Sequence, residues 1–138
     1  MASIRVEVVA ATGVVWEGDA ASIIARTTEG DIGILAGHEP LLGALAPCAV
    51  EIETQDGKKQ VAFVDGGYVS VADNRVSVLS QYARMAADID AAAAQKELDA
   101  AQKAADADGA DEDAAHQYRV AQAQMRAVDL SSGTVRGE

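Results

Sequence analysis

Side chains that could act as nucleophiles, bases or metal ligands are few in this chain of 138 residues, and they are scattered. The histidines His38 and His116 lie far apart, and neither has a carboxylate or a cysteine at a spacing typical of zinc ligands. The single cysteine, Cys48, has no histidine near it, which favours a small buried side chain over a nucleophile. Glu51 and Glu53 could pair for acid–base work, although alternating carboxylates are also typical of a solvated strand face. These patterns predict no catalytic site and no metal site.

A segment punctuated by glycines, residues 28–42, is different in kind. Its glycines, Gly30, Gly33 and Gly37, are not followed by the Lys-Ser/Thr pair of a phosphate-binding loop, or by a helix that could direct its N-terminus at an anion. Nucleotide turnover is therefore not predicted. Because glycines cost conformational entropy that a plain connector would avoid, we interpret the segment as a shaped surface loop. The loop either binds a partner or forms a wide turn over one end of the fold.

The elements that must position these side chains are short strands in the first 87 residues. Alternating apolar and polar residues predict strands at 4–9, 14–16, 22–27, 50–54, 60–64, 68–71 and 75–79. The pair Asp56-Gly57 predicts a tight hairpin turn between the fourth and fifth of these, and residues 72–74 predict a second hairpin. Many short strands at regular spacing favour a sandwich or a barrel.

The composition changes near Ala87 to a run rich in Ala, Asp, Gln and Lys, which predicts two helices. We expect Asp88 to cap a helix that ends near Ala107, and Asp111 to cap a second helix over residues 112–130. The predicted contact between them is mostly alanine: Ala92, Ala93, Ala100, Ala101 and Ala104 face Ala114, Ala115, Ala121 and Ala123. A buried methyl contributes only about 0.8 kcal/mol, so the pair should be weakly held and movable.

The net charge of −11 and the pI near 4.4 indicate which partners the chain disfavours. Nucleic acids and anionic lipids are bound largely through Lys and Arg that neutralise phosphates, so neither is expected. No run of about 18 apolar residues predicts a membrane helix. The N-terminus has no secretory-signal pattern, and the single cysteine fits a reducing compartment. We therefore expect a soluble protein with protein partners.

Three parts of the chain resemble the epsilon subunit of bacterial rotary ATP synthases. Residues 30–42, Gly-Asp-Ile-Gly-Ile-Leu-Ala-Gly-His-Glu-Pro-Leu-Leu, are similar to the family pattern Gly-Glu-Leu-Gly-Ile-x-x-Gly-His-x-Pro-Leu, with Asp31 in place of the usual Glu. Residues 62–71 are similar to the family's Gly-Gly-aromatic-x-x-Val segment. Arg126 lies in a predicted C-terminal helix of the expected length. The resemblance extends over essentially the whole chain.

The resemblance implies an α+β protein: an N-terminal antiparallel β-sandwich of about ten strands, residues 1–87, and a C-terminal antiparallel two-helix hairpin, residues 88–138. It implies a non-catalytic subunit at the foot of the central stalk. There the sandwich binds gamma and the polar loops of the c-ring, and it couples rotation of the ring through gamma to ATP synthesis. Glu29, Asp31 and His38 are expected to contact the ring, whose basic loops complement acidic side chains. The subunit is expected at the cytoplasmic face of the bacterial plasma membrane, as a peripheral protein without direct lipid insertion.

The resemblance also bears on nucleotide binding by the hairpin. In some members of the family, ATP stabilises the docked hairpin through an Ile/Leu-Asp-x-x-Arg-Ala motif and two arginines one turn apart on the second helix. Four positions match, namely Ile89, Asp90, Ala94 and Arg126. Ala93 and Gln122 stand where arginines are expected, and the loss of two cations weakens pairing with phosphate. No cofactor is therefore predicted. A free-standing ATP-sensing module whose hairpin closes on nucleotide is the alternative hypothesis.

In this family the hairpin can also extend along gamma and block ATP hydrolysis, through basic residues of the second helix that meet acidic parts of the alpha and beta subunits. Here the second helix carries only Arg119 and Arg126 as basic residues, so weak or absent inhibition is predicted. A small hydrolase that uses His38 or Cys48 is a third hypothesis. The absence of a base or an orienting partner close in sequence disfavours it.

Overall fold

A computed structural model describes residues 3–132 of the chain. Nine strands and a two-helix hairpin are present in that part. The strands are β1 (Ile4–Ala10), β2 (Gly13–Thr27), β3 (Gly30–Leu35), β4 (Leu41–Leu45), β5 (Cys48–Thr54), β6 (Lys59–Val64), β7 (Gly67–Ala72), β8 (Arg75–Leu79) and β9 (Ala83–Met85). A short 3₁₀ helix (Ala86–Asp88) leads to α1 (Ala91–Asp106) and α2 (Glu112–Ser132). The predicted sandwich followed by a helical hairpin is confirmed, with nine strands in the described residues where about ten were expected.

The two layers of the sandwich share the long strand β2. Its first half pairs with β1, and its second half lies between β3 and β5. The strand order is β1-β8-β7-β4-β2-β5-β6-β9, with β3 attached to β2. All pairings are antiparallel except β1 with β8, which is parallel. Within the described residues β3 has no second strand partner, so it forms a free edge.

The core between the layers is built from Val and Ile, as alternation along the strands predicts. The most deeply buried side chains are Ile4, Val6, Val8, Ile23, Ile34, Val50, Ile52, Val64, Val69, Val76 and Val78. β-branched side chains fit a pleated, buried surface, and each contributes about 1.5–3 kcal/mol when fully buried. The main apolar core therefore lies entirely within the strands.

Both predicted hairpins are confirmed, and their turns differ. Between β7 and β8, Asp73 and Asn74 form a two-residue turn with φ of 54° and 61°. Such φ values match the primed turns that suit the twist of paired strands. Between β5 and β6 the turn is longer: Gly57 takes a φ of 84°, and the Thr54 hydroxyl lies within hydrogen-bond distance of two acceptors, the Asp56 carboxylate and the Lys58 carbonyl.

One strand replaces two at the start of the chain. Residues 14–16 and 22–27 were predicted as separate strands around Glu17 and Asp19, but β2 is continuous. The reason is that both acids point to solvent from the β1–β2 pair. Arg5 of β1 lies 3.4 Å from Glu17 and 3.3 Å from Asp19, so the acids are paired on the outer face and do not interrupt the ladder.

The glycine-punctuated segment is also more regular than predicted. It was expected to be a surface loop, but most of it forms β3, a turn, and the start of β4. Ile34 is fully buried and Ile32 packs on the core, because these isoleucines alternate with residues that face solvent. The predicted wide loop is therefore wrong for residues 30–35. Only the turn around Gly37, which has a φ of 86°, remains as a connector.

The helices begin and end close to the predicted positions, with one correction. Asp90, and not Asp88, caps α1: its carboxylate accepts hydrogen bonds from the backbone N–H of Ala92 (2.9 Å) and Ala93 (3.2 Å). Asp88 instead lies in the preceding 3₁₀ turn. Asp111 caps α2 as predicted, accepting from the Ala114 N–H at 3.0 Å. α2 continues to Ser132, two residues past its predicted end, and the rest of the predicted C-terminal segment, residues 133–138, lies outside the described residues.

The hairpin is docked on the sandwich. α2 packs on β5 and β6, and α1 packs on α2. A second apolar cluster fills the contact and consists of Val61, Phe63, Ala86, Ile89, Ala94, Ala123, Ala127 and Leu130. Because four of these eight side chains are alanines, the contact buries little apolar area per residue. Weak docking of the hairpin therefore stays a prediction.

Several alanines assigned to the contact between the helices lie instead on the solvent side. Ala92, Ala93, Ala100 and Ala104 of α1 are exposed. The inward stripe of α1 consists of Ala94, Leu98, Ala101 and Ala105. These positions are three or four residues apart, so they share one face of α1. Ala94 is buried, which shows that this is the face packed against the rest of the protein.

Candidate functional site

The predicted ring-contact residues lie along the free edge of the sheet and not in one loop. Glu29 is in the turn that precedes β3, Asp31 is on β3, and His38 follows the turn after it. At about 3.3 Å per residue, the six residues of β3 separate its two ends by about 16 Å. Glu29 and Asp31 therefore lie near one end of the sandwich, and His38 lies near the other. We call Glu29, β3 and His38 the β3 edge.

Asp31 is held by a cation on the neighbouring strand. Nε of Arg26 donates to its carboxylate at 2.8 Å. This hydrogen bond lowers the pKa of Asp31, and the charge of Arg126 on α2 contributes in the same direction. Both side chains of the Arg26–Asp31 pair are more than half exposed, so solvent screens the attraction. Asp31 therefore remains charged at neutral pH and accessible to a partner.

The other end of the β3 edge is tied to the β7–β8 turn. The Gly37 N–H donates to Oδ1 of Asn74 at 2.7 Å, and the His38 N–H donates to the Leu35 carbonyl at 3.1 Å. Nδ1 of His38 lies 2.7 Å from the Glu39 carbonyl, which accepts its hydrogen. Sequence reasoning missed Asn74, because its partner is distant in the chain. Its position in a two-residue turn was the available signal.

The residues matching the nucleotide motif are not brought together in one place. Ile89 and Ala94 are buried in the second apolar cluster, and the Asp90 carboxylate caps α1. Arg126 alone of the four lines a cleft beside α2, together with Gln122. Nucleotide binding by these residues therefore stays the alternative hypothesis, not the prediction.

The cleft has a volume of about 400 Å³ and lies between α2 and strands β2, β3 and β5. Its charged lining consists of Arg26, Asp31, Glu51, Arg119 and Arg126. Lys59 Nζ lies 2.9 Å from Glu51, and Arg119 lies 2.6 Å from Glu112 of the same helix. The sequence contained no local signal for this cleft, because docking of the hairpin creates it.

The side chains considered for chemistry have no catalytic surroundings. Cys48 is buried, and that burial raises the pKa of its thiol, which disfavours the reactive thiolate. Glu51 is occupied by its ion pair, and His116 is exposed on α2. Across residues 3–132 no group of three or more His, Cys, Asp or Glu side chains is placed to hold a metal ion. None of the helices described is long and apolar enough to cross a membrane.

A strip of large apolar side chains is exposed on the outer face of the layer formed by β1, β8, β7 and β4. We call it the apolar strip; it consists of Val14, Leu42, Ala44, Tyr68 and Leu79. Tyr68 pairs with both Ala44 and Leu79, and Leu79 pairs with Val9 of β1, which pairs with Val14, so the members of the strip come from four strands, β2, β4, β7 and β8. Leu42 is 72% exposed and Tyr68 57%. Contiguous exposed apolar residues of this kind mark protein-binding surfaces.

Comparison with known proteins identifies relatives of the chain. Residues 3–86 match the family described as ATP synthase, Delta/Epsilon chain, beta-sandwich domain. The ATP synthase epsilon chain of Streptomyces avermitilis is 49% identical over 106 residues, which cover 77% of this chain and 86% of the relative. The epsilon chain of Cutibacterium acnes is 41% identical over 136 residues and 93% of each chain.

Solved structures share the fold of the chain. A chain in the OSCP/F1/c-ring assembly of the Euglena gracilis mitochondrial ATP synthase superposes with a TM-score of 0.77 at 28% identity, covering 96% of this chain and 82% of that one. A chain of the central stalk/c-ring assembly of the Tetrahymena thermophila mitochondrial ATP synthase shares the fold, with a TM-score of 0.57 at 18% identity.

A β-sandwich that carries a docked helical hairpin and a contiguous exposed apolar strip is typical of a protein that binds other proteins. The specific relatives narrow this class. The chain belongs to the epsilon-chain family of bacterial F-type ATP synthases, and it is a non-catalytic, central-stalk subunit of that enzyme. The family predicted from residues 30–42 and 62–71 is confirmed.

Proposed function

We propose that the sandwich links the gamma subunit to the c-ring, so that rotation of the ring reaches the catalytic sites through gamma. Two separate surfaces support this proposal: the apolar strip on one layer, and the β3 edge at the free side of the other. The observation that carries it is the apolar strip, since a sandwich working alone has no reason to leave such side chains in water. In this arrangement the ring and gamma hold the subunit at the cytoplasmic face of the bacterial plasma membrane.

The apolar strip is the proposed gamma-binding surface. Leu42, Tyr68 and Leu79 are solvated here, and burying apolar surface contributes about 25 cal/mol per Å². Tyrosine is enriched at interfaces because its ring packs while its hydroxyl finds a hydrogen-bond partner. The strip lies on the layer that α2 does not cover, because α2 packs on β5 and β6. Gamma can therefore bind while the hairpin is docked.

The β3 edge is the proposed ring-binding surface. Glu29 and Asp31 present two carboxylates near one end, and basic polar loops of a ring would complement them. Contacts between such charges can orient two proteins without burying a large apolar area. They are screened by salt, so binding through them should weaken as the salt concentration rises. His38 lies at the far end of the edge and extends the surface along β3.

The gamma assignment is tested by charge substitution in the apolar strip. A Leu42→Asp/Tyr68→Asp variant should bind purified gamma at least about tenfold more weakly, because two apolar anchors are lost and two charges would be buried. Ile24→Asp is the matched control, since Ile24 is an exposed apolar residue on the other layer. Retention of full gamma affinity by the double variant in a pull-down or calorimetric titration would refute the assignment.

The ring assignment has its own test. Glu29→Lys should reduce binding to purified c-ring several-fold at low salt, because a basic partner would meet a like charge. Glu53→Lys is the control, since this exposed carboxylate lies on β5, away from the β3 edge. Equal ring binding by the two variants would contradict the assignment.

We further propose that the docked hairpin is a mobile regulatory element with little inhibitory effect. Basic residues on α2 are limited to Arg119 and Arg126, and Arg119 is already paired with Glu112. Removal of residues 88–138 should therefore change ATP hydrolysis by the assembled enzyme less than about twofold, within the effect of a single weak ion pair. A several-fold rise in hydrolysis would show that the hairpin inhibits.

A further inference from the structure

Docking of the hairpin places α2 on β5 and β6 and leaves a cleft between α2 and the sheet that reaches β3, the strand with a proposed ring contact. The cleft between them is lined by Arg126 of α2 on one side and by Asp31 of β3 on the other. Arg126 is on the exposed side of α2, while Ala123 and Ala127 bury the side that faces the sheet. The two charged groups therefore share a space that exists only while the hairpin is docked.

The other charges of the cleft are already paired. Arg26 lies 2.8 Å from Asp31, Arg119 is paired with Glu112, and Glu51 is paired with Lys59. Within residues 3–131, Arg126 has no carboxylate at ion-pair distance, although its charge lowers the pKa of Asp31. Arg126 therefore attracts Asp31 from beyond ion-pair distance, and another cation that approaches Asp31 can compete with it.

We propose that Asp31 is shared between the hairpin and the ring, so that hairpin docking and binding of a basic partner at the β3 edge oppose each other. The proposal rests on the ring contact inferred above. A cation brought to Asp31 repels Arg126 and weakens docking. By thermodynamic linkage, a docked hairpin weakens binding of that cation by the same factor. Binding of the ring at the β3 edge would thus weaken docking of the hairpin.

The expected coupling is modest, and the hairpin is sensitive to it. Exposed charge pairs change an equilibrium by about two- to five-fold. We expect the docked state to be only weakly favoured, because half of the residues in the second apolar cluster are alanines, so a change of this size should shift the population measurably. The coupling should also weaken at high salt, since the groups face solvent.

A cysteine reporter measures docking in the isolated full-length chain. After Cys48→Ala removes the native thiol, Ala123→Cys places a thiol where α2 meets the sheet, and maleimide labelling then reports opening of the hairpin. Arg126→Gln and Asp31→Asn should each raise the labelling rate about two- to five-fold. The double variant should label at about the same rate as either single variant, because both substitutions remove the same interaction.

Three controls separate the shared charge from general loss of stability. Arg119→Gln should leave labelling unchanged, since Arg119 is paired within α2. Arg26→Gln should slow labelling or leave it unchanged, because it frees Asp31 for Arg126. A thiol at Val64 in the sandwich core should label equally slowly in every variant. The proposal fails if Arg126→Gln acts no more strongly than Arg119→Gln, or if the two single effects simply add.

Purified c-ring in detergent supplies the second arm. Ring binding should speed labelling of the Ala123→Cys thiol about two- to five-fold, and Arg126→Gln should abolish that increase. If the ring binds and labelling does not change, the coupling is refuted while the proposed function stands. If no ring binding is detected by co-sedimentation, the proposed function itself fails.

Discussion

Asn74 has two structural roles that substitutions can separate. It is the second residue of the β7–β8 turn, and its φ of 61° lies in the left-handed region, which Asn tolerates better than most residues with a Cβ. Its Oδ1 accepts a hydrogen bond from the Gly37 N–H at 2.7 Å, and its carbonyl accepts one from the Arg5 N–H at 2.8 Å. Asn74 therefore joins the turn before His38 to both β1 and the β7–β8 hairpin.

The two roles predict a ranked series of stabilities. Asn74→Ala should lower the free energy of unfolding by about 2 kcal/mol: about 1 for the left-handed backbone and about 1 for the lost side-chain hydrogen bond. Asn74→Gly keeps the backbone conformation and should cost only the hydrogen bond, about 1 kcal/mol. Asn74→Asp keeps both the acceptor and the tolerance of positive φ, so it should remain within about 0.5 kcal/mol of the natural chain.

Urea unfolding and amide hydrogen exchange together test the series. Unfolding midpoints give the ranking, and the Gly37 amide should exchange faster in the Ala and Gly variants than in the natural chain or the Asp variant. Equal costs for Asn74→Ala and Asn74→Gly would refute the backbone contribution. Unchanged exchange of the Gly37 amide in Asn74→Gly would refute the hydrogen-bond contribution.

Three further predictions concern other parts of the chain. Gly67→Ala should lower the free energy of unfolding in urea by more than about 3 kcal/mol, because Gly67 has a φ of 115° and an added Cβ would overlap a β8 carbonyl. Gly33→Ala, where an added Cβ meets open space, should lower it by less than about 1 kcal/mol. The pKa of Asp31 is lowered in the folded state, so its contribution to stability is present above its unfolded pKa of about 4 and is lost as the pH falls through its folded pKa. Asp31→Asn should therefore flatten the acidic part of a curve of unfolding free energy against pH. An unchanged acidic part of that curve would contradict this prediction. Ala93→Arg/Gln122→Arg should create or strengthen ATP binding in calorimetry, because both positions are exposed and two cations would be restored, and an unchanged titration would count against the motif.

Sequence patterns predicted the fold well where local chemistry decides it. Alternation over residues 4–9 and the Asp73-Asn74 turn needed only the period of a strand and the tolerance of positive φ. Asp111 and the alanine-rich runs located the hairpin through capping and helix propensity. The family pattern at residues 30–42 led to the correct assembly.

The errors came from pairings between distant residues. Glu17 and Asp19 suggested a break in β2, and only the Arg5 side chain of β1 shows why the strand continues. Residues 30–35 suggested a loop because they are rich in glycine. They form a strand because β2 pairs with them along their whole length. The alanines of α1 could not be divided into inward and outward faces until docking set which stripe is buried.

The sequence by itself determined the two-part architecture, the family and the absence of an evident catalytic motif, because each depends on composition, periodicity or a contiguous pattern. Tertiary structure alone decided that Glu29 and His38 lie at opposite ends of β3, and that Arg126 shares a cleft with Asp31. It also decided that residues from four strands form the apolar strip. The physical reason is that binding surfaces are built from side chains that folding brings together, and their spacing along the chain carries no record of that proximity.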